Sequence, residues 1–278
     1  MTERIIRVGH SPDPDDAFMF YGLSSGRVKL SHITIQHVLE DIQSLNVRAL
    51  NGELEVSAIS AHAYPFVADK YWIMATGASM GEGYGPVLIS KKYSSIEELK
   101  GKKVATPGQL TTATLLFKSF TSGIPNFDIP FDQIMERVES GEFDAGVIIH
   151  EGQITYADQG FRKVIDFGEL WAQTYDNLPL PLGLDVVRKD LGEALARQLS
   201  QGLRQSIHFG YTHQTESVPY ALKYGRGISK ELGERFVKMY VSELTIDMGK
   251  RGKDALELLF RIGSDRKLFP PVPPIELY

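Results

Sequence analysis

The sequence of 278 residues contains no cysteine. Disulfide frameworks, thiolate nucleophiles and zinc–sulfur sites are therefore excluded. No apolar run approaches the roughly 18 residues of a membrane-spanning helix. The sequence has 30 Lys and Arg and 35 Asp and Glu, so its net charge is −5 and positive charge is not in excess. These features argue against nucleic acid and against a membrane as partners.

Several recognisable motifs are also missing. The first ten residues have neither the apolar core nor the small-residue cleavage site of a signal peptide, so we expect a cytoplasmic protein. Neither a nucleotide-binding glycine loop nor a Gly-x-Ser-x-Gly turn occurs. The seven histidines show no metal-ligand spacing, and we predict no metal site.

What is present is a repeated alternation of strands and helices. A chain of this length exceeds what one compact core usually organises, so we expect two lobes. Short apolar runs predict strands, and 3.6-residue periodicity predicts helices, which together indicate parallel sheets covered by helices. The predicted strands include 5–8, 33–39, 56–60, 87–90, 103–105 and 145–149, and the predicted helices include 17–23, 41–50, 111–120 and 131–139. The last third is predicted to be helical over 192–208, 216–224, 230–244 and 253–262.

One pattern occurs twice in the chain. A helix leads into Asn51-Gly-Glu-Leu-Glu-Val-Ser-Ala-Ile-Ser60, and another leads into Ser140-Gly-Glu-Phe-Asp-Ala-Gly-Val-Ile-Ile149. Open parallel sheets bind ligands beyond the carboxyl ends of their strands. The two units therefore predict two similar lobes that face a shared cleft. The alternative is that such turns recur in unrelated units.

Two helix starts could bind a ligand at this cleft. In Ser11-Pro-Asp-Pro-Asp-Asp16, Asp13 is a plausible N-cap, and Ser11 with the free N–H groups could hold a carboxylate or hydroxyl. In the second lobe the N–H groups of Thr112 and Ala113 would face an anion. The alternative for both segments is an ordinary capped helix without a ligand.

His150 is the candidate for acid–base chemistry. It follows the apolar run that ends at Ile149, which places it at the end of a buried strand. An unperturbed imidazole with a pKa of about 6.5 is the natural proton acceptor at neutral pH. A structural histidine that is hydrogen-bonded at a strand end is the alternative.

Several co-linear motifs resemble the 1,4-dihydroxy-6-naphthoate synthase family of the futalosine route to menaquinone. The segments that carry the resemblance are Ser11-Pro-Asp-Pro-Asp-Asp-Ala-Phe-Met-Phe-Tyr21, Leu39-Glu-Asp41 with Leu45-Asn46, Thr111-Thr-Ala113, Gly146-Val-Ile-Ile-His-Glu151 and Leu178-Pro-Leu-Pro-Leu-Gly183. The match extends in order from about residue 5 to about residue 192. The first segment departs from the family's usual Ser-Pro-Cys-Pro-Asn-Asp-Thr-Phe, because Asp13, Asp15 and Ala17 replace Cys, Asn and Thr.

The resemblance implies an α/β, two-lobed fold similar to type 2 periplasmic binding proteins, with a helical C-terminal third. Each lobe would be a mostly parallel sheet flanked by helices. Residues 1–86 and 186–278 would form the first lobe and residues 87–185 the second, with the ligand cleft between them.

The resemblance also implies an activity. The family converts cyclic dehypoxanthine futalosine to 1,4-dihydroxy-6-naphthoate, a carbon–carbon lyase reaction that releases dihydroxyacetone and needs no cofactor. The family's base would be His150. Substrate would bind at Ala58, Ile59 and Ser60 and at Thr112 and Ala113.

The ligand would be a small carboxylated aromatic molecule, and the protein a monomer or homodimer. Two other functions stay open on the same fold. One is a solute-binding protein without catalysis, and the other is the related chorismate dehydratase, for which the Ile-Ile-His-Glu segment is not expected.

Overall fold

The computed structural model describes residues 3–224 and 229–278, and these form two β-sheets with helices around them. The strands are β1 (Arg4–His10), β2 (Ile33–Leu39), β3 (Val56–Ser60), β4 (Tyr71–Ile73), β5 (Ser79–Gly81), β6 (Val87–Ser90), β7 (Val104–Thr106), β8 (Asn126–Asp128), β9 (Ala145–Ile148), β10 (Arg162–Asp166) and β11 (Leu180–Arg188). The helices are α1 (Pro14–Ser24), α2 (Ile42–Leu50), α3 (Thr112–Phe120), α4 (Ile134–Glu139), α5 (Phe167–Thr174), α6 (Glu193–Thr212), α7 (Gln214–Ala221), α8 (Lys230–Tyr240), α9 (Glu243–Ile246) and α10 (Gly249–Asp265). The α/β class and the helical C-terminal third are therefore confirmed.

Both sheets contain parallel and antiparallel neighbours. The first has the order β2-β1-β3-β11-β4, and β5 also pairs with β11. The second has the order β10-β6-β9-β7-β8. The expectation of mostly parallel sheets is confirmed, because one described strand in each sheet runs against the others: β11 pairs antiparallel with β3, β4 and β5, and β6 pairs antiparallel with β9 and β10.

The chain passes from one sheet to the other twice. It leaves the first sheet after β5 and returns with β11, which pairs with β5 from Leu180 onward. The predicted lobe boundary lay a few residues later, between 185 and 186. Sheet membership alone does not define a domain, so the lobe boundaries stay a prediction.

The repeated helix–turn–strand pattern lies at corresponding places in the two sheets. β3 pairs parallel with β1 and antiparallel with β11, and β9 pairs parallel with β7 and antiparallel with β6. In both units a glycine with positive φ, Gly52 at 66° and Gly141 at 82°, ends the helix and turns the chain into the strand. Both strands consequently end towards the space between the sheets.

A shared hydrophobic core joins the two sheets. One cluster of buried side chains includes Ile59 and Leu184 of the first sheet together with Leu88 and Val104 of the second. Helix α3 packs in the same cluster through residues such as Leu116, which is 1% exposed. The two sheets are therefore joined by continuous apolar packing.

The C-terminal helices cover the first sheet. Helix α1 is buried on most sides, because α6, α7 and α8 pack against it. It begins at Pro14, which agrees with the prediction of Asp13 as its N-cap and with the preference of proline for the first helical position, whereas the apolar pattern predicted a start at residue 17. Within the part of the chain that is described, no helix has the length and apolar character needed to cross a membrane.

Candidate functional site

A cavity lies between the two sheets. Its water-accessible volume is about 120 Å³. Both sheets contribute to its wall. The lining residues are Ser11, Asp13, Asp15, Asp16, Ile42, Ala58, Ile59, Ser60, Gly77, Ser79, Pro86, Thr111, Thr112, Ala113, Ile149, Gln153, Leu182, Gly183, Leu184 and Tyr240.

The cavity brings the residues predicted to bind substrate together. Ser11, Ala58, Ile59, Ser60, Thr112 and Ala113 all line it. Their role in substrate binding stays a prediction.

His150 stands at the edge of this arrangement. The residues around it, Ile149 and Gln153, line the cavity, but His150 is not one of the lining residues. Its Nδ1 accepts a hydrogen bond of 2.9 Å from the Gly152 N–H, and its ring lies 5.6 Å from that of Phe131. The nitrogen that accepts from Gly152 cannot accept a substrate proton at the same time. A role as base would therefore require that hydrogen bond to break.

Ser60 is held at the end of β3 by a residue of helix α2. The Ser60 N–H donates to Asn46 Oδ1 at 2.8 Å, and Asn46 Nδ2 donates to Ser60 Oγ at 3.0 Å. Asn46 is fully buried, so the pair is rigid and protected from water. Because Ser60 Oγ accepts in this pair, its hydroxyl proton can be donated to a ligand in the cavity.

The turn before α1 is organised by its own carboxylates. The Ser11 N–H donates to Asp16 Oδ2 at 2.5 Å, and Ser11 Oγ donates to Asp13 Oδ2 at 2.7 Å. Asp13 occupies the N-cap position, but its side chain does not cap the helix. The side chains of Asp13 and Asp16 thus fix the position of Ser11 at this end of the cavity.

The start of helix α3 supplies the donors of the opposite wall. Thr111 caps the helix by accepting from the Thr114 N–H, 3.2 Å away. Within residues 3–224 and 229–278, no acceptor is recorded for the N–H of Thr112 or Ala113. These two N–H groups lie at the positive end of the helix dipole, which favours an anion such as a carboxylate.

Several hydrogen bonds cross the space between the sheets. Leu110 N–H donates to Gln43 Oε1 at 3.1 Å, and Thr112 Oγ1 donates to the Leu182 carbonyl at 2.7 Å. Tyr240 Oη donates to Gln153 Oε1 at 2.6 Å. The structure therefore shows the two sheets drawn together around the cavity.

The sequence patterns did not indicate that several of these residues lie at the cavity or contact its wall. Asn46 occurs in a segment that carries the family resemblance, but its contact with Ser60 depends on the packing of α2 on β3. Tyr240 lies at the end of a periodic helix, where a tyrosine is typical of the core. Gln153 follows His150 by three residues, which is its only local signal.

The cavity wall carries acids but no bases. Among the described residues that line it there is no lysine, arginine or histidine. Burial, with the nearby Asp16 and Asp13, raises the pKa of Asp15 well above its usual range. In the described parts of the chain, no three His, Asp or Glu side chains are arranged so that they could hold a metal ion. That finding does not test the predicted absence of a metal.

A comparison with known families assigns the chain. The model of a family described as "Menaquinone biosynthesis" matches residues 6–265, which is most of the sequence. The chain belongs to the menaquinone biosynthesis family. The resemblance noted from the sequence motifs is thereby confirmed.

Related proteins agree with this family assignment. The "1,4-dihydroxy-6-naphtoate synthase" of Thermus thermophilus is 37% identical over 96% of this chain and 97% of its own. The solved structure of protein AF1704 from Archaeoglobus fulgidus is 44% identical, with a TM-score of 0.91 over 95% of this chain and 98% of that one.

A more distant structure shows the fold alone. The Candida albicans CA3427 gene product, described as having the generic periplasmic binding protein fold, is 14% identical with a TM-score of 0.66. It covers 99% of this chain, and this chain covers 97% of it. This member of the menaquinone biosynthesis family thus has the predicted fold of periplasmic binding proteins.

Proposed function

We propose that this protein is a menaquinone-pathway enzyme that converts cyclic dehypoxanthine futalosine to 1,4-dihydroxy-6-naphthoate and dihydroxyacetone. The observation that carries the proposal is the near full-length similarity to a 1,4-dihydroxy-6-naphtoate synthase. The cavity supports it, because all six residues predicted to bind substrate line one space between the sheets.

The cavity wall suits a carboxylated aromatic substrate. The N–H groups of Thr112 and Ala113 would hold the carboxylate at the start of α3. Ile59 and Leu182 offer apolar surface to the rings, and Ser60 offers a hydroxyl donor to an oxygen of the substrate. This arrangement orients the substrate without any cationic side chain.

His150 would act as the base. It would leave the Gly152 N–H, turn towards the cavity beside Ile149 and remove a proton from the sugar-derived part of the substrate. Cleavage of the carbon–carbon bond would release dihydroxyacetone, and the remaining ring would become aromatic, which drives the reaction. A positioned base contributes a factor of about 10² to 10⁴ in rate.

The test is incubation of the purified protein with cyclic dehypoxanthine futalosine, with product analysis by mass spectrometry. We expect 1,4-dihydroxy-6-naphthoate and dihydroxyacetone in equal amounts. Binding without turnover would instead favour a solute-binding protein, and conversion of chorismate would favour the related dehydratase. Either result would contradict the proposal.

The role of His150 has a separate test. We expect His150→Ala to lower kcat by at least about 10²-fold while substrate binding persists, since only proton transfer is lost. His208→Ala, which changes an exposed histidine of α6, is the matched control and should keep full activity. Full activity of His150→Ala would exclude His150 as the base.

We also propose a cytoplasmic location, which cell fractionation would check.

A further inference from the structure

His62 is a buried histidine that lies close in the chain to the cavity wall. It belongs to the short helical turn Ala61–Phe66, which directly follows Ser60 at the end of β3, and it is 5% exposed. Its ring packs beside those of Phe66 and Phe269, at centroid distances of 6.0 and 5.8 Å. Close packing of this kind gives the ring a fixed place.

His62 makes two hydrogen bonds with the start of α3. Its Nδ1 lies 3.1 Å from the Thr111 carbonyl oxygen, and its backbone N–H donates to Thr112 Oγ1 at 3.2 Å. Burial, with a contribution from the charge of Lys118, lowers the pKa of His62 to about 4, so the ring is neutral at pH 7. A carbonyl oxygen only accepts, so Nδ1 carries the single ring proton and Nε2 carries none.

The same contacts determine what Thr112 can offer a ligand. Its Oγ1 accepts from the His62 N–H and donates to the Leu182 carbonyl at 2.7 Å. Leu182 precedes Gly183, which pairs with Ser60 across β11 and β3. Thr112 is thus held by neighbours of Ser60 on two strands. Because its hydroxyl proton is used in this way, the donor that it can turn to a ligand is its backbone N–H.

We propose that His62 is a positioning residue that sets the distance across the cavity between Ser60 and the start of α3. One residue separates Ser60 from His62, so the bonds of His62 to Thr111 and Thr112 connect the two walls through a short stretch of chain. The substrate must fit this distance to reach both the Ser60 hydroxyl and the N–H groups of α3. This effect on the substrate rests on the proposed function, whereas the contacts of His62 do not.

The first test is nitrogen NMR of the histidine rings in the purified protein, without any ligand. At pH 7 we expect the signal of a protonated ring nitrogen for Nδ1 of His62 and that of an unprotonated nitrogen for Nε2. The loss of both signals in His62→Asn identifies them. A ring with its proton on Nε2 could not donate to the Thr111 carbonyl and would overturn the proposal.

The second test compares two replacements of His62 in the enzyme assay. Asparagine offers an amide N–H in place of the ring Nδ1–H and can still donate to the Thr111 carbonyl, whereas leucine fills the apolar space without a donor. We expect His62→Leu to raise KM for cyclic dehypoxanthine futalosine and Kd for 1,4-dihydroxy-6-naphthoate by about fivefold. The value of kcat should change little, because binding and not proton transfer is affected.

Two comparisons show whether this effect belongs to the Nδ1–H donor. We expect His62→Asn to keep KM and Kd near the wild-type values. His208→Leu, which changes an exposed histidine of α6, is the matched control and should change neither. Equal losses in His62→Asn and His62→Leu, or a fall in kcat with unchanged KM, would overturn the proposal.

Thr112 provides a second pair of variants in case His62→Leu does not fold. Thr112→Val removes the hydroxyl that accepts from His62, and Thr112→Ser keeps it. We expect the valine variant to raise KM and Kd as His62→Leu does, and the serine variant to resemble the wild type. Wild-type binding by Thr112→Val would overturn the proposal. Absence of turnover in the wild type would contradict the proposed function, and the ring-nitrogen signals would then decide whether His62 holds α3.

Discussion

At the scale of single residues, side-chain chemistry could be predicted more readily than side-chain partners. The apolar strand before Ser60 and the hydroxyl-rich helix start at Thr112 are local patterns, and both residues lie in the cavity wall. The amide of Asn46 that fixes Ser60 comes from a neighbouring element, so no local pattern indicates it. For His150 the pattern predicts the strand end but not the direction of the ring, which depends on the Gly152 N–H.

Asn46 offers a prediction at this scale. Asn46→Ala removes both hydrogen bonds to Ser60 and leaves the buried Ser60 N–H without its acceptor. We expect a loss of about 1–3 kcal/mol in the free energy of unfolding and a raised KM, because Ser60 is no longer fixed. Urea unfolding and steady-state kinetics would measure the two effects.

The control for this change is Asn51→Ala. Asn51 is exposed at the end of the same helix and contacts Glu53. A surface change of this kind alters stability by no more than about 0.5 kcal/mol. Equal losses in the two variants would show that the Ser60 contact does not matter.

At the scale of elements, strands and helices could be predicted from the sequence where apolar runs are continuous. β2, β3 and β6 have the predicted bounds, because each is a run of apolar or alternating residues without a breaker. β11 was not predicted from the pattern, since Pro181 and Gly183 interrupt it. Its pairing with β5 shifts register between these two residues, so only the whole sheet defines the strand.

Gly77 gives a prediction for the segment between β4 and β5. Its φ is 85°, and a Cβ at this position would lie 2.0 Å from Asp185 Oδ2 and 2.8 Å from Leu203 Cδ2. We expect Gly77→Ala to lower the free energy of unfolding. The loss should be about 2–3 kcal/mol larger than that of an alanine substitution at a positive-φ glycine with open space around it. Urea unfolding would measure this difference.

Gly83→Ala is the matched control for that difference. Its φ is 78°, but a Cβ there meets nothing within 4 Å. Both variants therefore carry the cost of a left-handed conformation, and only Gly77→Ala adds the collision with β11 and α6. If the two variants lost the same stability, the packing around Asp185 would be looser than the structure shows.

At the scale of the whole molecule, two lobes and a cleft could be predicted from the sequence. The contacts that close the two lobes around the cleft could not. The repeated Gly-Glu units at Gly52 and Gly141 indicate two similar halves without specifying how they meet. The closure seen here depends on side chains far apart in sequence, such as Tyr240 of α8 and Gln153 beside the second sheet. Such contacts leave no periodic signal, because each is a single pair.

Tyr240→Phe tests whether these contacts set the balance between open and closed forms. The change removes the hydrogen bond to Gln153 and keeps the ring that packs on Tyr84 and Phe236. A hydrogen bond of this kind contributes about 1 kcal/mol, enough to shift a closed population several-fold towards the open form. We expect a larger radius of gyration in small-angle scattering and a raised KM. Tyr175→Phe, whose ring packs on Trp171 of α5, is the control and should leave both unchanged. If Tyr240→Phe matched the wild type in scattering and in KM, closure would have to depend on the contacts of Gln43 and Thr112 instead.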